Sequence, residues 1–462
     1  MRKYDAIIIG SGQAGTPLAK KLAKAGLKTV LIEKRWVGGT CINDGCTPTK
    51  TLIASAKAAF MAAGKSNDLG INIEKYTIDL KKIIQRKDEI VQSFREGSEK
   101  SLKETENLEL LFGEAVFTGP KILSVTPSVG SATEITADKI FIDTGSRLKV
   151  PAIPGLEQVP YLTSTTILDL KAVPDKLLIL GGGYIGLEYG QMFRRFDSAV
   201  TILDSSPRFL RKEDEDIATE IRNFLEAEGL TIYSPAEALR FEKITDQEYS
   251  LIYKQDNQEH RTNFTHLLLA TGRQSQNDIL KPEMAGIALT EKNYIQVNEG
   301  LETNIAGIYA LGEANGGPAF THISYNDYVI VAENLLHEGN LSTVGRPLPY
   351  CMFTDPQLGR IGITENQAKE KKLNVKIAKL PLAKVARAIE TGETQGLIKA
   401  VVDADTKQIL GAAVLGAEGG EIMSVLQMAM QAGLTYEQLQ TYIFAHPTYA
   451  ESLNNLFMTL EA

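Results

Sequence analysis

The chain carries one three-part unit twice, and that repetition limits the folds open to it. In the first copy the run Tyr4-Asp5-Ala6-Ile7-Ile8-Ile9 leads into Gly10-Ser11-Gly12-Gln13-Ala14-Gly15, a helix to about Ala25, and an apolar stretch from Leu27 that ends on Glu33. In the second, Leu177-Leu178-Ile179-Leu180 leads into Gly181-Gly182-Gly183-Tyr184-Ile185-Gly186, a helix follows, and Ala199 to Leu203 ends on Asp204. Each glycine has a mechanical reason. Gly10 and Gly181 permit the tight turn, Gly12 and Gly183 let backbone approach a pyrophosphate, and Gly15 and Gly186 let helix and strand pack. The terminal acid can hold ribose hydroxyls. A lone glycine turn is weak evidence, but twenty-three residues separate first glycine from terminal acid in both copies. Two dinucleotides are expected, on two Rossmann-like domains.

Two of the three cysteines, Cys41 and Cys46, fall in Gly38-Gly39-Thr40-Cys41-Ile42-Asn43-Asp44-Gly45-Cys46-Thr47-Pro48-Thr49-Lys50, just before a helix-like run. A helix start offers free N–H groups and positive dipole charge, which favour the thiolate. The spacing is too short to staple a long loop, and no further Cys or His lies in the tract to complete a zinc site. A redox dithiol is expected, and no metal ligands. Two nucleotide sites and a dithiol describe an electron path, in which a flavin can take hydride from a nicotinamide and pass the pair to a sulfur. That puts FAD on the first copy, NADH or NADPH on the second. Lys50, one turn beyond Cys46, either stabilises charge on the reduced flavin or is a solvated helix lysine. In His446-Pro447-Thr448-Tyr449-Ala450-Glu451 the acid can orient the imidazole for proton transfer; a capped helix end with an ordinary histidine fits the same residues. His260, His266 and His337 lack any partner pattern, and Cys351 reads as core.

At 462 residues the chain should hold two or three domains. Its hydrophobic content of 43% and charged content of 23% are ordinary for a soluble protein. A formal charge of -8 argues against nucleic acid, no basic run marks a membrane surface, and no apolar stretch approaches a membrane span. Few cysteines and no room for a cleaved signal point to a reducing, cytoplasmic setting. Residues 58–107 have helical periodicity and residues 108–143 read as short strands. Asp143-Thr144-Gly145-Ser146, with Pro151 and Pro154-Gly155 after it, reads as a domain edge. Leu267 to Arg273 repeats that strand-then-Thr-Gly pattern, so the second nucleotide unit is expected to be an insertion in the first. The expected domains are an FAD-binding domain at 1–150 and 280–345, an NAD(P)-binding domain at 151–279, and an interface domain at 346–462. The last, with strands at 396–402 and 408–415 and helices at 421–431 and 449–460, is a segregated α+β unit for association or substrate contact.

Assembled, these motifs resemble the class I pyridine nucleotide-disulfide oxidoreductases of the glutathione reductase and dihydrolipoamide dehydrogenase type, essentially end to end. The resemblance implies an α/β fold of two Rossmann-like domains with a C-terminal dimerisation domain. It implies that Cys41 exchanges with substrate while Cys46 lies against the flavin. Lys50 and Glu188 match an ion pair near the flavin, and Tyr184 matches a tyrosine that gates the nicotinamide pocket. His446 and Glu451 match a dyad that acts across the interface of a homodimer. Cofactor contacts are expected at Gly10, Gly12, Gly15, Glu33, Lys34, Gly39, Thr40 and Lys50, then at Thr144 and Gly145. Further contacts are expected at Gly181, Gly183, Tyr184, Gly186, Asp204, Gly272 and Arg273, and at Gly312, Glu313, Phe320, Thr321 and His322.

The chain departs from the family pattern in places. Glu313 stands where an aspartate usually holds the flavin ribitol. Asp44 sets a negative charge between the cysteines and should oppose thiolate formation. His322 is either a flavin neighbour or a first-turn residue. The run Phe320 to Tyr328 resembles the mercuric-reductase-like branch that includes the reactive-chlorine-resistance flavoprotein. True mercuric reduction is disfavoured, because the tail from Leu453 lacks the vicinal cysteines that hand over the metal, and no N-terminal metal-binding module is present. Asp204 favours NADH, although Arg208 and Arg211 are near enough to accommodate a 2′-phosphate. The expected function is an FAD-dependent NAD(P)H reductase acting on a disulfide, a metal ion or an oxidant. A dihydrolipoamide dehydrogenase and a flavin-dithiol redox sensor are the alternatives.

Overall fold

In the computed structural model, which describes residues 1–461, strand β1 (Arg2–Ile9) is buried on both faces. Ala6 and Ile8 pack with Leu18 and Leu22 of helix α1 (Gly15–Lys24), whereas Ile7 and Ile9 pack with Val30, Ile32 and Ile140 on the other side. Covering both faces is what makes the run continuously apolar rather than alternating. Each buried isoleucine contributes about 1.5–3 kcal/mol.

After β2 (Thr29–Glu33) the chain forms a short helix α2 (Gly39–Asn43), the longer α3 (Cys46–Ala62) and α4 (Leu80–Lys103). Residues 71–79 between α3 and α4 form no helix or strand, an interruption that the helical periodicity of 58–107 does not reveal. Strands β3 (Leu108–Phe112), β4 (Glu114–Gly119), β5 (Ile122–Thr126) and β6 (Thr133–Ile142) complete a sheet of order β3-β2-β1-β6-β5-β4. The pairs β1–β2, β2–β3 and β1–β6 are parallel, and a late strand, Ile308–Ala310, also lies parallel to β6. The ends of β1 and β6 therefore sit side by side, with the Gly10 turn and Asp143 as neighbours.

By compactness the chain divides into two units. One comprises residues 1–51, 82–150 and 271–346; the other comprises 52–81, 151–270 and 347 onward. In the second unit the strands Thr231–Tyr233, Ala199–Leu203, Lys176–Leu180, His266–Leu269 and Tyr161–Leu162 form a parallel sheet in that order. Helix Tyr184–Arg195 follows its glycine turn. An antiparallel sheet of five strands begins at Tyr350–Met352 and includes Leu397–Asp403 and Ile409–Gly416, close to the expected bounds. Its core joins Ile398 and Val414 to Leu426, Leu453 and Phe457.

Two expectations change. The C-terminal helix spans only Ser452–Met458, because Thr448 accepts a hydrogen bond from Glu451 N at 3.2 Å and closes a turn before the helix begins. Cys351, expected in the core, is only half-buried, since Tyr350–Met352 is an edge strand, and its sulfur lies beside Gly420. No helix among the described residues is long and apolar enough to cross a membrane.

A Cβ at Gly186 would lie 2.1 Å from the carbonyl oxygen of Gly181, whereas one at Gly183 would meet nothing within 4 Å. Gly186→Ala should therefore cost about 2 kcal/mol or more and Gly183→Ala less than about 1 kcal/mol, as read from urea midpoints. Equal losses would contradict the packing.

Candidate active site

Gly10 turns with φ +103°, a conformation open to glycine, and the bare backbone that follows ends at the N-terminus of α1. Ser11 fixes the terminal acid: its hydroxyl donates to Glu33 Oε2 at 2.6 Å and its N–H donates to the same oxygen at 3.1 Å. Gly38 N donates to Ser11 Oγ at 3.2 Å, which ties the turn to the loop before α2. A Cβ at Gly39 would lie 2.8 Å from Gly12 Cα, so the two backbones meet closely. This glycine-lined cradle, a helix N-terminus and an acid at the end of the neighbouring strand fit a dinucleotide. Lys34 and Thr40 are exposed beside it.

The dithiol is built by two helix starts. Gly38 and Gly39 both take positive φ, α2 carries Cys41, and Cys46 is the first residue of α3. Pro48 is tolerated there because first-turn N–H groups have no partner in the helix. Cys46 Sγ lies 3.5 Å from the hydroxyl of Thr321, the first residue of helix Thr321–Leu336. Its hydrogen bond to Cys46, and then burial, push the Cys41 thiol up; the Thr321 hydroxyl and the charge of Lys50 pull it down. The balance of these influences favours the protonated thiol at Cys41.

Asp44, expected to oppose thiolate formation, does not stand as an isolated charge. Its nearly buried carboxylate is ion-paired with Arg35, and it is not a main cause of the shift at Cys41. Arg35 also stacks on Trp36, with its guanidinium carbon 4.6 Å from the ring centre, and Arg95 lies 4.2 Å from the same ring. Arg95 donates to Asn43 Oδ1 at 2.7 Å, so the segment between the cysteines is held from both sides by cations.

The later motifs gather around the end of β6. Ser146 Oγ donates to Glu313 at 2.8 Å, and Arg273 donates to Ser146 Oγ and to its carbonyl, both at 2.7 Å. The longer side chain of Glu313 is thus engaged by protein groups. Thr144 donates to Asn277 at 3.0 Å, Gly312 N donates to Asp327 at 2.8 Å, and exposed His322 stacks on Phe320 with ring centres 5.4 Å apart. The sequence reading missed Ser11, Asn277 and Asp143 as site residues. Asp143 accepts a hydrogen bond from Gly15 N at 2.8 Å; its only sequence signal is an acid at the end of an apolar strand.

In the second unit Gly181 takes φ +111°, and Asp204 lies against Gly182. Ser206 Oγ donates to Asp204 at 3.1 Å. Arg208 donates to the carbonyls of Arg211 and Glu213, both at 2.8 Å, and so is turned to backbone. Tyr184 opens the helix after the turn, and buried Glu188 accepts from Phe353 N at 2.8 Å. His446 Nδ1 lies 2.9 Å from Glu451 and the pair is open to solvent. His266 contacts the Thr265 hydroxyl, while His260 and His337 are exposed.

If Arg35 neutralises Asp44, Arg35→Ala should slow alkylation of the reduced dithiol about three- to tenfold, and adding Asp44→Asn should restore it. A rate that the second substitution leaves low would contradict that pairing.

Residues 4–327 match the family described as pyridine nucleotide-disulphide oxidoreductase, and residues 348–457 match its dimerisation domain. The chain is 41% identical to the probable pyridine nucleotide-disulfide oxidoreductase RclA of Escherichia coli (strain K12), covering 99% of each. It is 34% identical to a mercuric reductase of Lysinibacillus sphaericus, over 99% of this chain and 83% of that protein. Identity is also 34% to a dihydrolipoyl dehydrogenase of Thermus scotoductus, over 98% of this chain and 96% of that one. A solved structure described as the Cu(II) complex of HOCl-induced flavoprotein disulfide reductase RclA from Escherichia coli superposes with a TM-score of 0.91, at 40% identity over 99% of each chain.

Proposed function

Because the chain belongs to the pyridine nucleotide-disulphide oxidoreductase family, an FAD-dependent NAD(P)H reductase activity follows, and we propose that its electrons pass from NADH to the Cys41–Cys46 pair and on to copper(II). One observation carries the proposal: a thiol pair formed by Cys41 within α2 and Cys46 at the start of α3, in a chain so similar to a disulfide reductase solved as its Cu(II) complex. FAD, when bound, supplies the two-electron carrier between a nicotinamide hydride and a disulfide. In this reading residues 1–150 and 280–345 hold FAD, residues 151–279 hold the nicotinamide coenzyme, and residues 346–462 form the interface. The turn at Gly10, Gly12 and Gly15, with Glu33, would hold the dinucleotide.

Cys46 takes the flavin side and Cys41 the acceptor side. NADH and a proton convert the Cys41–Cys46 disulfide to two thiols. Two copper(II) ions then take one electron each as the sulfur–sulfur bond re-forms and two protons leave. Since Cys41 resists deprotonation, a base must accept its proton. The dimerisation domain supports a homodimer. Across its interface His446, oriented by Glu451, is assigned that proton. Asp204 selects NADH, and Arg208 is spent on two carbonyls rather than on a 2′-phosphate. The scarcity of cysteine supports a cytoplasmic location.

Copper(I) formation, trapped by a chromogenic chelator during NADH turnover, tests the proposal. Cys46→Ser should lower it about 100-fold or more, and His446→Ala about 10- to 100-fold without slowing flavin reduction by NADH. NADH should exceed NADPH about tenfold in kcat/KM. Faster turnover of dihydrolipoamide with NAD would replace copper by lipoamide. Absence of turnover with any acceptor would favour a redox sensor.

A further inference from the structure

Asp143 is the acid of the first glycine turn that no cation balances. Its N–H donates to Ile9 O at 2.8 Å, which fixes it beside the end of β1. Its Oδ2 accepts from Gly15 N at 2.8 Å, so an N–H at the start of α1 is directed to this carboxyl. A Cβ at Gly12 would lie 2.6 Å from Oδ2 and one at Gly15 3.1 Å from it, while one at Gly312 would lie 3.4 Å from Oδ1. The carboxyl thus fills the space bounded by three glycines.

The groups that face it are acids. Glu33 comes from β2, Glu313 from the segment after Ile308–Ala310, and Asp327 from helix Thr321–Leu336. Each of those has its own relief: Glu33 from Ser11 at 2.6 Å, Glu313 from Ser146 at 2.8 Å with Arg273 at 3.7 Å, and Asp327 from its ion pair with Arg346. For Asp143 no Lys, Arg or His supplies such relief among the described residues. Burial foremost, with the three acids adding, pushes it up to about 8 against the lowering effect of Gly15 N–H. Near neutral pH this environment favours the un-ionised acid.

We propose that Asp143 is a positioning residue for FAD, which the glycine turn holds tightly while this carboxyl is protonated and releases as it ionises. The helix start attracts one anion. An ionised Asp143 would compete for that field and repel the pyrophosphate, whereas the neutral acid braces Gly15 without charge. Bound pyrophosphate in turn keeps the proton on to higher pH. The sign follows: below about pH 8 the carboxyl is neutral with or without FAD, and affinity is flat. Above it the FAD-free protein ionises, binding takes up a proton, and affinity falls by up to about tenfold per pH unit. The inference rests on FAD and is independent of which acceptor is reduced.

The test is FAD release from dilute holoprotein, read as flavin fluorescence between about pH 7 and about pH 9.5. The wild-type dissociation constant should stay level to about pH 8 and then rise about three- to tenfold. Asp143→Asn, which keeps an oxygen for Gly15 N–H, should be level throughout and retain FAD better at the alkaline end. A level wild-type profile, or an equal rise in Asp143→Asn, would overturn the proposal. Should that variant not fold, proton release on FAD dissociation from the wild-type protein near pH 9, followed with an indicator dye, serves instead; no released proton would likewise overturn it.

Discussion

The hydrogen bond between Cys41 and Cys46 is the contact on which the proposed electron path depends. It exists because two helices begin seven residues apart in sequence, at Gly39 and at Cys46. Gly38 and Gly39 turn the chain so that α2 presents Cys41, and the next helix starts on Cys46. Displacing either helix start would separate the sulfurs and leave two ordinary cysteines. The proton held at Cys41 is the cost of this closeness. In the function proposed above, that proton is assigned to His446, which Glu451 orients at 2.9 Å.

Around the dithiol the protein manages negative charge. Asp44 is neutralised by Arg35, Glu313 is engaged by Ser146 and Arg273, and Asp327 is paired with Arg346. Those pairings leave the field at the first glycine turn to the helix start, and Asp143 stays compatible with an anion by remaining protonated. In the second unit the same economy appears at Asp204, fixed by Ser206, and at Arg208, bound to carbonyls. Both turns use one geometry, and the polar residues around them set their different tasks.

Much of this was legible in the sequence, for reasons that are local. Positive φ at Gly10 and Gly181 follows from the turn that each glycine must make, and the buried run Ala6 to Ile9 announces a parallel strand. Cys46 at a helix start could be read from the tract itself. What was not legible depends on the crossing of distant segments. The Arg35–Asp44 pair needs the loop after β2 to fold back over α2, and adjacent sequence read the other way, as an uncompensated charge. Asp143 is buried only because β6 runs beside β1, 128 residues away in sequence from the Gly15 N–H it accepts. Cys351 looks like core until its strand is seen to be an edge.

The most direct measurement is anaerobic reduction of the FAD-loaded protein with one equivalent of NADH, followed by alkylation and peptide mapping. If the electron pair comes to rest on the sulfurs that begin α3 and lie within α2, label should appear at Cys41 and Cys46 together, with Cys351 unchanged. Full consumption of NADH with no new label at either cysteine would contradict the account.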